Sequence, residues 1–214
     1  MTPVKASLRT ALTMLAFAVI GTALLAYTFD LTRAPIANSE EEARLALMMQ
    51  VVPQTAFDND LLRDIITLAA DPLLGTQGET IAYRARRNGK PAAVVLEAIA
   101  PDGYSGKIKL LVAIRADGAV SGVRVVAHKE TPGLGDYIEV ARSAWIRHFD
   151  GKTLASETDE GAWRVKKDGG QFDYMAGATI TPRAVVKAVK KALQYYASHR
   201  EQLFAPAISK ENRP

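Results

Sequence analysis

Thr179 ends the run Asp173-Tyr174-Met175-Ala176-Gly177-Ala178-Thr179, directly behind two small residues and close to the expected start of a C-terminal helix. Gly177 can take backbone conformations closed to other residues, and together with Ala178 it lets a bulky anion approach the main chain. Thr181 followed by Pro182 reads as an N-cap and then a first helical residue. A helix predicted from about Thr181 offers unpaired N–H groups and a positive dipole end to an anion. Thr179 then stands just outside that helix, with its hydroxyl in the strongest part of the field. These residues specify an anion site and no covalent bond. They read equally well as a loop followed by an N-cap, and Asp173 can be a turn-capping aspartate.

A second segment lies far upstream: His128-Lys129-Glu130-Thr131-Pro132-Gly133-Leu134-Gly135-Asp136. Pro132-Gly133 is a turn dipeptide and Gly135 adds a second flexible point. Such a turn brings backbone amides up to a flat ring, and Leu134 offers it an apolar contact. It also reads as a plain strand-to-helix connection. A third segment, Pro101-Asp102-Gly103-Tyr104-Ser105-Gly106-Lys107-Ile108, places Tyr104 either in a pocket wall or in ordinary hairpin packing.

Together these segments resemble the Asp-x-x-(Ser/Ala)-Gly-Ala-Thr, His-x-Glu-Thr-Pro-Gly-Leu-Gly and Gly-Tyr-x-Gly patterns of the FMN-binding domain family. The whole chain resembles the G subunit of the Rnf/Rsx ion-translocating electron-transport complex, related to the C subunit of sodium-pumping NADH:quinone oxidoreductase. That resemblance implies covalent FMN, joined by a flavin transferase through a phosphoester to Thr179. It implies that Gly177, Ala178 and Thr181 shape the phosphate turn, and that Glu130, Thr131, Pro132, Gly133, Leu134 and Gly135 border the ring. Tyr104 is a further pocket candidate. Asp173 matches the acidic position associated with modification, while Ala176 stands where many relatives have serine. The implied role is electron relay within a membrane complex of several subunits, a translocase in which this subunit has no independent catalysis. Two alternatives stay open: a cofactor-free anchored assembly subunit, and a stand-alone anchored FMN domain feeding an extracellular reductase.

Composition agrees with an anchor plus one substantial domain: 214 residues, 48% hydrophobic, formal net charge +4. Lysines and arginines are scattered among acids, with no basic stripe of the kind that binds nucleic acid. The absence of cysteine excludes disulfides, thiol redox chemistry and a cysteine-ligated iron–sulfur cluster in this chain. His128, His148 and His199 are too dispersed for a metal site, and surface or packing roles are expected for them.

Residues 11–29 form an apolar run of about 19 residues without a charge, spanning roughly 28 Å as a helix and so close to a bilayer's hydrocarbon thickness. Lys5 and Arg9 precede it, and Asp30 and Glu40–Glu42 follow. The positive-inside rule places the N-terminus in the cytoplasm and the remainder outside. A cleaved signal is the competing reading, but its apolar core would be shorter and end in small residues. The expected arrangement is a bacterial inner-membrane protein crossing the lipid bilayer once. Residues 1–9 are then cytoplasmic, 10–29 the anchor, 30–78 a helical linker region, 79–205 a periplasmic FMN-binding domain and 206–214 a flexible tail.

The fold expected is α+β, with an antiparallel sheet and flanking helices. Ser39-Glu40-Glu41-Glu42 reads as a capping box opening a helix to about Met49, and residues 60–70 as another short helix. Strands are expected at 80–86, 92–99, 107–115 and 120–127, separated by turns at Asn88-Gly89, Pro101-Asp102-Gly103 and Asp117-Gly118. Ile108, Leu110, Val112 and Ile114 alternate to one side. Helical spacing of Ile138, Ala141, Trp145 and Phe149 predicts a helix over 137–149, with Trp145 in its core. Residues 163–165 read as a strand and 184–199 as a long helix. Its apolar face carries Val185, Val189, Ala192 and Tyr196, with Lys187, Lys190 and Lys191 toward water.

Gly151-Lys152-Thr153 fails as a P-loop, because Ile146 occupies the required glycine position. Gly133-x-Gly135 lacks the rest of a dinucleotide fingerprint, and Ser105 has no triad partners.

Overall fold

The computed structural model of the chain describes residues 3–154 and 161–205; the tail expected at 206–214 lies outside them. The chain divides into two units, Met1–Arg44 and Leu45–Pro214. Helix α1 (Pro3–Met49) supplies the described part of the first and runs on into the second. Its stretch Pro3–Arg33 is long and apolar enough to cross a membrane, and none of it is buried. Leu15, Phe17, Ile20 and Leu25 are all exposed. The capping box at Ser39 does not open a separate helix, because α1 passes through it unbroken. Residues 40–47 are strong helix formers with no glycine, so propensity carries the helix past the signal.

The second unit is built on a five-stranded antiparallel meander, in the order β1 (Ile65–Leu68), β2 (Thr80–Arg87), β3 (Lys90–Gly103), β4 (Gly106–Arg115) and β5 (Val120–Ala127). With α2 (Ile180–Phe204) packed on it, the architecture is the α+β expected. Asn88 and Gly89, at φ 51° and 71°, make the two-residue primed turn between β2 and β3. The turn expected at Pro101-Asp102-Gly103 is displaced. A register shift between Ala100 and Gly103 absorbs Pro101 and Asp102, and the chain reverses at Tyr104-Ser105. Such irregularities suit a proline that cannot donate to the ladder.

Residues 60–70 do not form a helix. Turns lead into β1, whose Ile65, Ile66 and Thr67 are β-branched and pair with Tyr83, Ala82 and Ile81 of β2. Nor is 137–149 one helix: it makes two 3-10 turns, Gly135–Ile138 and Trp145–Phe149. Ser143 breaks it by donating its hydroxyl to the Tyr137 carbonyl (2.8 Å) and accepting from the Trp145 amide (3.1 Å). Residues 163–165 pair only as a single bridge, Val165 to Phe172.

Both faces of the sheet are covered. Ile108, Leu110, Val112 and Ile114 meet Val185, Val189, Ala192 and Tyr196 of α2 in the larger core. Phe149, Phe172 and Trp163 extend it as an aromatic cluster. On the other face Val95, Leu111 and Ala113 pack with Met48, Val51, Val52 and Leu61. A Cβ on Gly122 would lie 3.0 Å from the Val51 Cα, so that strap crosses β5 at backbone distance. Arg124 secures it by donating to the carbonyl (2.9 Å) and side chain (3.1 Å) of Gln50. At the far end of α2, Arg84 and Arg86 donate to the carbonyls of Ala205 and Phe204 while pairing with Asp64.

Candidate functional site

The loop before α2 folds as its small residues dictate. The Ala178 amide donates to the Met175 carbonyl (3.1 Å), closing a turn in which Gly177 takes φ 86°. Three anchors hold that loop. The Trp145 indole donates to the Asp173 carbonyl (2.7 Å), the Met175 amide donates to the Tyr137 hydroxyl (3.4 Å), and the Asp173 carboxylate pairs with Lys166. That hydrogen-bonded pair holds the Asp173 carboxyl below its ordinary range.

Helix α2 begins earlier than Thr181-Pro182 suggests. Its N-cap is Thr179, which makes no side-chain capping bond, and Ile180 is the first helical residue. Thr181 is already inside, 1% exposed, and donates its hydroxyl to Glu130 Oε2 at 2.5 Å. A buried carboxylate within reach is a stronger acceptor for that hydroxyl than any neutral group of the helix. Thr179 is half-buried at the helix end.

The upstream segment supplies a second wall. Leu134 and Gly135 amides both donate to the Thr131 carbonyl (3.1 and 3.0 Å), and Gly133 takes φ 77°. With Pro132 second in the turn and Gly133 third, this is the pattern of a type II turn. Asp136 accepts from the Gly133 amide (2.8 Å) and fixes its orientation. His128 Nδ1 accepts from the Glu130 amide (2.9 Å), so its proton sits on Nε2, which faces Glu139 Oε1 at 2.7 Å. The third wall is the β3–β4 hairpin tip, with Tyr104 68% exposed.

These segments enclose a cavity of about 340 Å³ lined by Tyr104, Glu130, Thr131, Leu134, Gly135, Gly177, Ala178, Thr179, Ile180 and Thr181. Three residues singled out in the sequence lie elsewhere. Pro132 and Gly133 form the exposed outside of the turn, and the Asp173 side chain faces Lys166. Trp145 is core, edge-on to Tyr137 and Phe149. Sequence reasoning missed Ile180 as a lining residue, and Tyr137 and Ser105 as supports. Ser105 donates its amide to Glu130 Oε1 (3.1 Å), a contact for which Gly-Tyr-Ser-Gly carries no signal. Among the described residues no cluster of potential metal ligands is present.

The cavity fits a flat, partly apolar ligand bearing an anion. Its volume is within the usual range for small-molecule sites. Tyr104, Leu134 and Ile180 give apolar and aromatic surface, and the first amides of α2 lack partners by helix geometry. Glu130 is acidic, so the helix terminus at Thr179 is the end of the cavity suited to an anion, and the walls at Tyr104, Leu134 and Ile180 are suited to apolar surface.

Comparison with known proteins agrees. The FMN-binding domain family matches residues 103–194, and the RnfG N-terminal region matches residues 1–51. The chain is 51% identical over 202 residues to the G subunit of the ion-translocating oxidoreductase complex of Pseudomonas aeruginosa, covering 94% of each. Identity to the protein of the same name in Vibrio cholerae is 49% over 187 residues, 87% of this chain and 88% of that one. For Shewanella oneidensis it is 45% over 195 residues, 91% and 92%. Similarity of this extent, over nearly the full length of both partners, makes the chain a member of the RnfG family, the G subunits of ion-translocating oxidoreductase complexes, with an FMN-binding domain over the segments that build the cavity.

Proposed function

We propose that this subunit relays electrons through FMN attached by a phosphoester to Thr179. The observation that supports it most is the state of that residue: a helix N-cap whose hydroxyl makes no capping bond, on the wall of a cavity built by all three motif segments. Attachment at this point puts the phosphate against the positive end of α2 and the amides of Ile180 and Thr181. Gly177 lets the phosphate close on the main chain without a side chain in the way, since nothing lies within 4 Å of its missing Cβ. Tyr104, Leu134 and Ile180 hold the ring and exclude water from part of it. FMN, when bound, supplies electron exchange singly or in pairs, and the protein's part is to place the ring and tune its surroundings. A covalent link keeps the cofactor in a compartment that has no ready supply of it.

The same reading makes α1 a single inner-membrane anchor with the N-terminus cytoplasmic and the FMN-binding domain periplasmic, because positive charge precedes the apolar run and acid follows it. The partners are the other subunits of the complex, a flavin transferase during maturation, and the bilayer. Coupling of redox exchange to ion movement belongs to the complex, and this subunit carries out no reaction alone.

Protein co-expressed with its flavin transferase should gain the mass of FMN less one water and fluoresce in a denaturing gel. Thr179→Ala should remove both signals. A full-strength fluorescent band in that variant rejects the assignment. Retained complex activity without any flavin would turn the reading toward an assembly role.

A further inference from the structure

Two threonines flank Ile180, and chemistry alone does not choose between them as the site of modification. Thr181 is in one respect the better nucleophile, since a carboxylate accepts its proton. Burial decides against it. Thr181 is 1% exposed and Glu130 4%, so no donor held by a second protein can reach that oxygen. Thr179, half-buried and without a capping bond, keeps its hydroxyl available.

We infer that Glu130 is a positioning residue that locks the first turn of α2 and so makes Thr179 the modified hydroxyl. The inference rests on the flavin reading given above. Glu130 sits where all three motif segments converge. Its Oε2 accepts from the Thr181 hydroxyl (2.5 Å) and its Oε1 from the Ser105 amide (3.1 Å), while its own amide donates to His128 (2.9 Å). One side chain thus ties the hairpin bearing Tyr104 and the turn bearing Leu134 to the helix end bearing Thr179. The surroundings are shaped to admit it. A Cβ on Gly135 would stand 2.7 Å from Oε2 and 2.9 Å from the Glu130 Cβ, so this glycine is required by the Glu130 side chain, independently of any ligand. A Cβ on Gly103 would meet the Gly106 carbonyl at 2.4 Å before it met Oε1 at 2.9 Å, so that glycine is required first by the hairpin itself. A buried carboxylate is costly unless its oxygens are satisfied, so Thr181 and Glu130 hold each other in place. With Thr181 engaged inward, it cannot serve as the cap, and the N-cap position falls to Thr179.

The test uses the full-length chain with and without its flavin transferase, in wild type, Thr181→Val, Thr181→Ser and Glu130→Gln. Valine keeps the shape of threonine and loses the donated bond; serine keeps the bond; glutamine keeps the volume and loses the charge. Without transferase, amide hydrogen exchange is read at Ala178 and Arg183, whose amides donate to the Met175 and Thr179 carbonyls, and, as a folding control, over 185–193. In Thr181→Val, exchange at these two amides should rise about tenfold or more, the factor expected for loss of a hydrogen bond to a charged group. Exchange at 185–193 should stay unchanged. With transferase, the fraction of flavin-bearing peptide at early times should fall below wild type, and Thr181→Ser should recover both signals. Glu130→Gln, which can still accept one bond, should fall between.

Wild-type exchange at Ala178 and Arg183 together with wild-type flavin incorporation in Thr181→Val and Glu130→Gln would overturn the inference. Should Thr181→Val lose protection at 185–193, Thr181→Ser against Glu130→Gln carries the decision. A wild-type chain that gains no flavin sinks the flavin reading instead, while the exchange arm still reports on the lock.

Discussion

Gly133 and Gly135 lie two residues apart, yet alanine fails at each for a different reason. Gly133 has φ 77° and open space around its missing Cβ, so Gly133→Ala costs backbone strain alone, about 1 kcal/mol. At Gly135 the new Cβ would meet Glu130 Oε2 at 2.7 Å, Glu130 Cβ at 2.9 Å and Thr181 Oγ1 at 3.1 Å. Glu130 and Thr181 are held by their mutual hydrogen bond, and Gly135→Ala should cost about 2–3 kcal/mol, as overpacking does. Urea midpoints should rank the two, and flavin incorporation should drop only in Gly135→Ala. The reverse ranking would mean that the Glu130–Thr181 pair is not under tight packing. The glycines and Thr179 stand out in the sequence because their types report on backbone freedom and chemistry. The role of Glu130 does not, because its partners lie 25 and 51 residues away and nothing local marks them.

At the level of elements, patterns that record burial were legible and patterns that record hydrogen bonding were not. Alternation in β4 and the apolar face of α2 predict which side chains meet, and they meet. Of Ile138, Ala141, Trp145 and Phe149, the spacing is faithful to burial at all but Ala141, which is exposed, because Ser143 redirects the backbone into two 3-10 turns. Those turns place Tyr137 and Trp145 under the loop that carries Thr179. Tyr137 has a measurable consequence. Burial pushes its phenol up to about 12, whereas the unfolded chain releases that proton near pH 10. Between those values the folded state holds a proton the unfolded state has lost, so stability present below pH 10 declines as pH rises toward 12. The loss is about 3 kcal/mol at most. Urea midpoints from pH 9 to 12 should fall less steeply in Tyr137→Phe. A residual slope is expected, because burial also raises Tyr195 and Tyr196. An unchanged slope would show that the phenol titrates freely.

For the whole molecule, the apolar run at 11–29 announces an anchor, but the sequence beyond it says little about where the folded domain begins. Val51 and Val52 are two apolar residues between a glutamine and a proline, too short a run to read as core. In the structure Met48, Val51 and Val52 are at most 1% exposed and close the second face of the sheet over Val95, Leu111 and Ala113. Gly122 and Arg124 are matched to them, one by lacking a side chain and the other by holding Gln50. The stretch expected as a helical linker also supplies β1. A chain starting at Leu45 should therefore fold without the apolar N-terminal helix, elute as a compact species and melt cooperatively. One starting at Gln54 loses three buried side chains, at about 2 kcal/mol or more for the larger ones. That is a large part of the roughly 5–15 kcal/mol available to a domain, and it also exposes an apolar sheet face. The shorter chain should melt far lower or aggregate, as read by circular dichroism and size exclusion. Equal melting of the two would show the strap to be a passenger, and the domain's stability to lie wholly in the sheet and α2.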